Sequence, residues 1–327
     1  MRSEQKRSAA ALLGRLGLFL LPVVLYFLLF LRFEPYNYFG LQNNATESDQ
    51  IIYRVRHFLA EPQDVLLLGD SRMAHMDTDE IESLLGRPVS NLAFGGAAEN
   101  EMIDLAEYAL ETNPDVDTIY LEVSFYTLNA KYDKDRVSGI RTIVGNPLAY
   151  LFNFDYNLEM LNRLRMTLQG AYLGVEMETA VDPVTGLLTY TEADYLDENG
   201  APLPYRRQLM EYNDTIRPVC TGYQLNETTL ERLTALAARC RAEGIRLVFV
   251  LPPVADSVYR EIIVGLGIEP RLAKAVETLR ATGAEVIDLE YSDRPALNES
   301  LFFDGFHTDT TLGLPLVVQR IFGDDAA

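Results

Sequence analysis

"DVLLLGDSRMAH", Asp64 to His75, is the stretch that decides the fold. Val65 to Leu68 is a short continuous apolar run, the pattern of a strand covered on both faces. Gly69 permits a sharp turn straight after it. Asp70, Ser71 and Arg72 then stand at the strand's carboxyl end, where a helix begins. In open α/β sheets, ligands bind at that edge. A plainer alternative is that Asp70 or Ser71 only caps the helix.

The chain around this stretch alternates strands and helices. Gln50 to Ala60 reads as a short helix before it. Downstream come a helix over Thr78–Leu85, capped by Asp77 or Thr78, and a strand over Val89–Phe94 ending in Gly95-Gly96. Glu99–Thr112 follows as a helix with Met102, Leu105, Ala106, Ala109 and Leu110 on one face, then Thr118–Val123 as a third strand. The pattern stops over Tyr126–Tyr223, about 100 residues, too long for a plain loop and expected to be an insertion with its own structure. Within it, Asn157–Leu168 has helical character and Val184–Tyr205 that of a hairpin. The series resumes with a helix over Asn226–Glu243, ended by Gly244, and a strand over Ile245–Leu251. A helix over Arg271–Thr282, a strand in "AEVIDLE" and a closing helix over Thr310–Phe322, capped by Thr308 or Asp309, complete it. Five short strands alternating with helices make a parallel, three-layer α/β sheet.

The N-terminus stands apart. Arg2, Lys6, Arg7 and Arg15 precede the apolar run Leu16–Leu31, and Arg32 follows it. With the preceding "AAALLG" the run reaches about 20 residues, enough to cross a bilayer while the arginines snorkel. Phe33, Glu34, Pro35 and Tyr36 are wrong for a cleavage site, so a signal anchor is expected rather than a removed signal peptide. Positive charge on the N-terminal side keeps that end cytoplasmic and sends the rest outward. The expected organisation is a tail and anchor over 1–33, a juxtamembrane linker and helix over 34–60, and an α/β domain over 61–327 carrying the insertion at about 126–223.

Net charge is −20, spread along the chain, which argues against a nucleic-acid partner because phosphate binding needs a basic face. No clustered His and carboxylate set suggests a metal, and no cofactor is expected. Cys220 and Cys240 are the only cysteines, too few for a structural zinc site. Outside the cytoplasm they have the option of a disulfide, which the sequence leaves open.

A serine nucleophile needs a base, and the base an orienting acid. The chain has three histidines. His57 precedes the first strand and reads as a surface residue. His75 lies one helical turn after Ser71, but its turn holds no carboxylate placed to orient it. His307 sits in "LFFDGFHTDT", Leu301 to Thr310, with Asp304 three residues before it. That spacing lets the carboxylate reach one ring nitrogen while the other faces a serine. A polar loop with a stray histidine is the alternative.

Gly69-Asp70-Ser71 ending the first strand, Gly95 ending the second, and Asp304-x-x-His307 before the last helix together resemble the SGNH (GDSL-type) hydrolase superfamily. The match covers nearly the whole soluble part in order, on short motifs. The resemblance implies a flavodoxin-like three-layer α/β/α sandwich, a five-stranded parallel sheet of order 2-1-3-4-5, and acyl-ester chemistry. Carried over by position, Ser71 is the nucleophile, His307 the base and Asp304 its orienter. The backbone N–H groups of Ser71 and of Gly95 or Gly96 form the oxyanion hole. The family's third block, Gly-x-Asn-Asp, is replaced here by "LEVSFYTLN". Ser124 or nearby backbone is the best substitute for its asparagine, and Asn129 is too far along. The anchor, the insertion and the late Asp-x-x-His are similar to the membrane-anchored cell-envelope subgroup that includes the D-alanyl-lipoteichoic acid protein DltD and the alginate O-acetylation proteins. Arg72 is a candidate contact for an anionic substrate group.

The expected activity is serine-dependent acyl transfer or ester hydrolysis on an envelope polysaccharide or other glycopolymer. The enzyme would be single-pass in the cytoplasmic membrane, with the catalytic domain outside. The resemblance implies a multi-spanning membrane acyltransferase as partner. The alternative is a non-catalytic glycan-binding or assembly protein on a retained SGNH fold.

Overall fold

The computed structural model describes residues 2–41, 50–173, 216–292, 294, 301–302, 304–308 and 313–323. They fall into two compact units, residues 46–141 with 180–327, and residues 1–45 with 142–179.

The larger unit is built on a parallel sheet of β1 (Val65–Leu68), β2 (Val89–Asn91), β3 (Thr118–Glu122), β4 (Arg246–Leu251) and β5 (Glu285–Asp288), in the order β2-β1-β3-β4-β5. β1 pairs with both β2 and β3, Leu67 facing Asn91 on one side and Tyr120 on the other. A central strand with helices on both sides must be apolar throughout, and all four residues of β1 are buried. Strand residues alternate between the two faces. Val65, Leu67, Tyr120, Val248 and Val250 pack with Met73 and Ile81 and with Leu314, Val317 and Phe322 of the closing helix. The intervening residues Leu66, Ile119, Leu121 and Phe249 are also fully buried. The helices Glu99–Thr112, Glu227–Glu243 and Glu269–Ala281, which turn Leu105, Leu233 and Leu272 inward, also belong to this unit.

Several boundaries differ from those read in the sequence. β2 stops at Asn91 instead of Phe94, because the Asn91 side chain takes the Ala93 N–H at 3.0 Å. The chain still follows β1, with Leu92 N–H donating to Leu67 O and Phe94 N–H to Gly69 O. Asp77, not Thr78, caps its helix, accepting from the Asp79 and Glu80 N–H groups. The last helix is Gly313–Phe322, and residues 309–312 before it lie outside the described residues, as does the hairpin expected over 184–205. Three helical segments had no sequence signal strong enough to claim: Val137–Val144, Pro147–Leu151, and an α-turn at Asp256–Val258 that widens to a π-helix over Tyr259–Val264. Cys220 and Cys240 are buried free thiols.

In the smaller unit, the helix Arg2–Phe33 contains an apolar segment, Gly14–Phe33, of 20 residues and mean hydropathy 2.3. Among the described residues it alone is long and apolar enough to cross a membrane. The helix Phe154–Leu173, longer at both ends than the sequence suggested, packs with it. Tyr38 closes the unit, its hydroxyl donating to Val144 O at 2.8 Å.

Candidate active site

The turn after β1 is forced by crowding. A methyl group on Gly69 would collide with the Met73 side chain and lie 2.5 Å from Glu122 Oε2, so only glycine fits. Asp70 then caps the one-turn helix Ser71–Ala74, its Oδ1 accepting the Arg72 N–H at 2.7 Å. The capping and the nucleophile readings of the motif therefore fall on different residues. Asp70 turns inward as the cap, and Ser71 opens the helix at the sheet's carboxyl edge.

Ser71 Oγ lies 2.7 Å from His307 Nε2, and His307 Nδ1 lies 2.8 Å from Asp304 Oδ2. A carboxylate accepts, so Nδ1 carries the proton and Nε2 is left to accept from the serine hydroxyl. The loop that presents the histidine is fixed locally. Asp304 Oδ1 accepts the N–H groups of Phe306 and His307, both at 2.7 Å, and Gly305 O accepts the Ala255 N–H just beyond β4. Phe302 and Thr308 close the loop's base as an antiparallel bridge.

Burial alone would push the His307 ring down, but the Asp304 charge and hydrogen bond outweigh it and raise the ring above the ordinary histidine range. Burial would raise Asp304, yet the His307 charge and the bonds it receives hold it below the usual carboxylate range. His75 stacks on His307 with ring centroids 5.1 Å apart. Burial and the His307 charge push His75 down to about 3, so it stays neutral. His57 is exposed on the helix Ile51–Ala60.

Gly95 and Gly96 follow β2 beside this turn, and Gly96 adopts a left-handed φ of 60° that suits glycine. Their carbonyls are pulled to one side. Gly95 O accepts from Arg136 Nη1 at 3.2 Å. Gly96 O accepts from Arg136 Nη2 and Lys134 Nζ, both at 2.9 Å, and from the Tyr132 hydroxyl at 3.1 Å. Arg136 is itself held by Glu101, Nε to Oε1 at 2.9 Å and Nη2 to Oε2 at 2.7 Å. Among the described residues, the N–H groups of Ser71, Gly95 and Gly96 donate to no protein acceptor. An oxyanion needs backbone donors that are not spent on the protein.

Ser124 is not brought into this group. Its hydroxyl donates to Glu290 Oε1 at 2.5 Å and its N–H to Thr127 Oγ1 at 3.0 Å, so both donors are spent inside the protein. Asn129 is likewise engaged elsewhere, its side-chain amide donating to Val219 O. Arg72 also departs from the expectation of a substrate contact. It is buried, with Nη2 2.5 Å from Glu122 Oε1 and 3.2 Å from Asp70 Oδ2, and Nη1 3.8 Å from Glu290 Oε1. Its guanidinium lies over the Tyr126 and Phe306 rings. Three acids standing around it offset the cost of burying the charge.

Glu122, Glu290 and Glu99 were not singled out in the sequence. All three are fully buried around Arg72 and Thr127, and burial raises Glu122 well above the carboxylate range, Glu290 to about 7 and Glu99 to about 8. The available signal was an ionisable residue ending each apolar strand run, "IYLE" and "VIDLE". Arg136 and Lys134 gave none, because their role lies in contacts distant in sequence.

No family model matches the chain, and no curated protein matches it. Among solved structures, a GDSL-like lipase from Bacteroides thetaiotaomicron is similar at 10% identity and TM-score 0.39, over 85% of this chain and 98% of that one. A Desulfitobacterium hafniense protein described as lipolytic and of the G-D-S-L family is similar at 11% identity and TM-score 0.35, over 80% and 96%. A protein from Streptococcus pneumonia described as a platelet activating factor is similar at 11% identity and TM-score 0.43, over 86% and 93%. All three scores are below 0.5, and no role of this chain is drawn from them.

Proposed function

We propose that the chain is a membrane-anchored serine acyl-transfer enzyme of the SGNH type, acting on an envelope glycan outside the cytoplasmic membrane. The observation that carries the chemistry is the continuous chain of contacts from Ser71 Oγ through His307 to Asp304. Ser71 Oγ attacks an acyl carbonyl while His307 Nε2 takes its proton, and Asp304 holds the ring and stabilises the imidazolium. Charge develops on the carbonyl oxygen, which the free N–H groups of Ser71 and of Gly95 or Gly96 meet. His307 then returns the proton to the leaving oxygen. In the second half, the hydroxyl of a sugar or polyol gives up its proton to His307 and attacks the acyl-enzyme, and His307 passes that proton to Ser71 Oγ as the acyl–serine bond breaks. Water in that place gives hydrolysis. The envelope location rests on the apolar segment Gly14–Phe33 and the basic residues before it. The resemblance to the DltD and alginate O-acetylation subgroup supports a glycan acceptor and a multi-spanning acyltransferase as acyl donor.

The test is covalent labelling of the detergent-solubilised full chain with a fluorophosphonate probe, read by intact mass. Wild type should carry one adduct, absent from Ser71→Ala and His307→Ala. An adduct that survives Ser71→Ala, or a folded wild type that takes none, would overturn the assignment and favour a retained fold used only for binding.

A further inference from the structure

The smaller unit carries an apolar surface that the chemistry at Ser71 does not use. Its helices Pro147–Leu151 and Phe154–Leu173 meet at a corner, and there Phe152 is 65% exposed and Phe154 74% exposed. Along the longer helix Phe154, Leu158, Leu161 and Leu168 are all exposed. They recur at i, i+4, i+7 and i+14, a single stripe of a 3.6-residue helix. Exposed Arg165 lies within the stripe, long enough to snorkel. Met160, off the stripe, is buried. A helix apolar on its open side as well as in its packing marks an interaction surface.

What covers it follows from where the corner is tied. Tyr26 donates to Leu151 O at 2.7 Å and lies 2.9 Å from Asn157 Oδ1. The Tyr26 ring stacks on Phe152 at 6.2 Å, and Phe27 meets the same ring edge-on at 6.2 Å. Both residues lie inside the apolar segment, not past its end. Tyr26 precedes Phe33 by seven residues, about 10 Å along a helix axis. Interfacial amphipathic helices sit about 5–10 Å deep, at the boundary of headgroups and acyl chains. Bonded in this way, the Tyr26 hydroxyl is satisfied where water is absent. Next to it stands an aromatic girdle, Tyr150 stacked on Tyr38 at 4.2 Å and edge-on to Phe30 at 5.7 Å. Tyrosines collect at that level of a bilayer.

We propose that the corner at Phe152 and the stripe Phe154–Leu168 form a second membrane contact, an interfacial helix lying in the lipid beside the span. The occupant is lipid because the surface is continuous with a lipid-facing helix and fixed to it at acyl-chain depth. The inference rests on the reading of Gly14–Phe33 as a membrane span.

The full chain, reconstituted in vesicles of phosphatidylethanolamine and phosphatidylglycerol, tests it with nitroxide labels at Phe154→Cys and Leu161→Cys. Leu28→Cys serves as the control in the span and Glu231→Cys as the control in water. Wild type gives the background, its own two thiols being buried. Both stripe sites should collide with dissolved oxygen, as Leu28→Cys does, and lose collision with a water-soluble nickel chelate. Nickel collision equal to that at Glu231→Cys would overturn the proposal. Shielding from both reagents would overturn it too, since another protein or a second copy would then cover the stripe. Nickel collision at Leu28→Cys would mean that the span reading itself had failed.

Discussion

Arg72 Nη2 sits 2.5 Å from Glu122 Oε1, joining the residue after Ser71 to the end of the neighbouring strand β3. With Asp70 on β1's exit and Glu290 beyond β5, the same guanidinium ties three strand ends together behind Ser71. Removing it leaves buried carboxylates without a counter-charge. Arg72→Met should lower unfolding stability by about 3–5 kcal/mol, the usual cost of breaking a buried pair from one side. Glu122→Gln should cost much less, because Asp70 and Glu290 still stand beside the Arg72 charge. Denaturant midpoints of the two variants check the ordering.

Activity should follow the ionisation of His307. A histidine accepts a proton only as the neutral ring, and Asp304 raises the His307 ring above its ordinary 6.5. The acid limb of kcat/KM should therefore lie above pH 6.5. His75→Gln should leave that limb unmoved, since His75 is neutral down to about 3. A limb that moves with His75 would make His75 part of the titrating pair.

The same shift sets a stability trend. A ring whose folded pKa is raised contributes fully below its unfolded value and loses the contribution as pH rises through the folded value. The Tm gap between wild type and His307→Gln should accordingly narrow with rising pH above 6.5. A gap that widens instead would contradict the pairing with Asp304.

Asp304→Asn leaves the loop's shape possible but presents the wrong partner to Nδ1–H. Turnover of a chromogenic acetyl ester should drop by about 10⁴-fold, with the adduct rate falling in parallel.

Arg136 acts at a distance, through the Gly95 and Gly96 carbonyls. Arg136→Ala should release the peptide planes that aim the neighbouring N–H groups. We expect kcat to fall, by as much as about 10²-fold for a misplacement near 1 Å, while KM changes little. Arg136→Lys, which cannot span both carbonyls, should recover only part of the loss. An unchanged kcat in Arg136→Ala would remove the glycine pair from the oxyanion role.

The sequence by itself determined the strand count, their order of appearance, and the apolar segment near the N-terminus. Each is a local signal, a continuous apolar run or a helical stripe bounded by Gly or an N-cap such as Asp77 or Asn226. Asp304 and His307 were legible as a pair because three residues separate them. Only the tertiary structure decided what meets across the sheet edge. Ser71 and His307 are 236 positions apart, and the strand order together with the loop fixed by Asp304 brings them within 2.7 Å. Ser124 and Arg72 looked available in sequence, where a hydroxyl or a guanidinium carries no mark of its partner. Glu290 and Glu122, from two other strand ends, take up those groups, because a buried donor or charge left unpaired costs more than any contact with substrate could return.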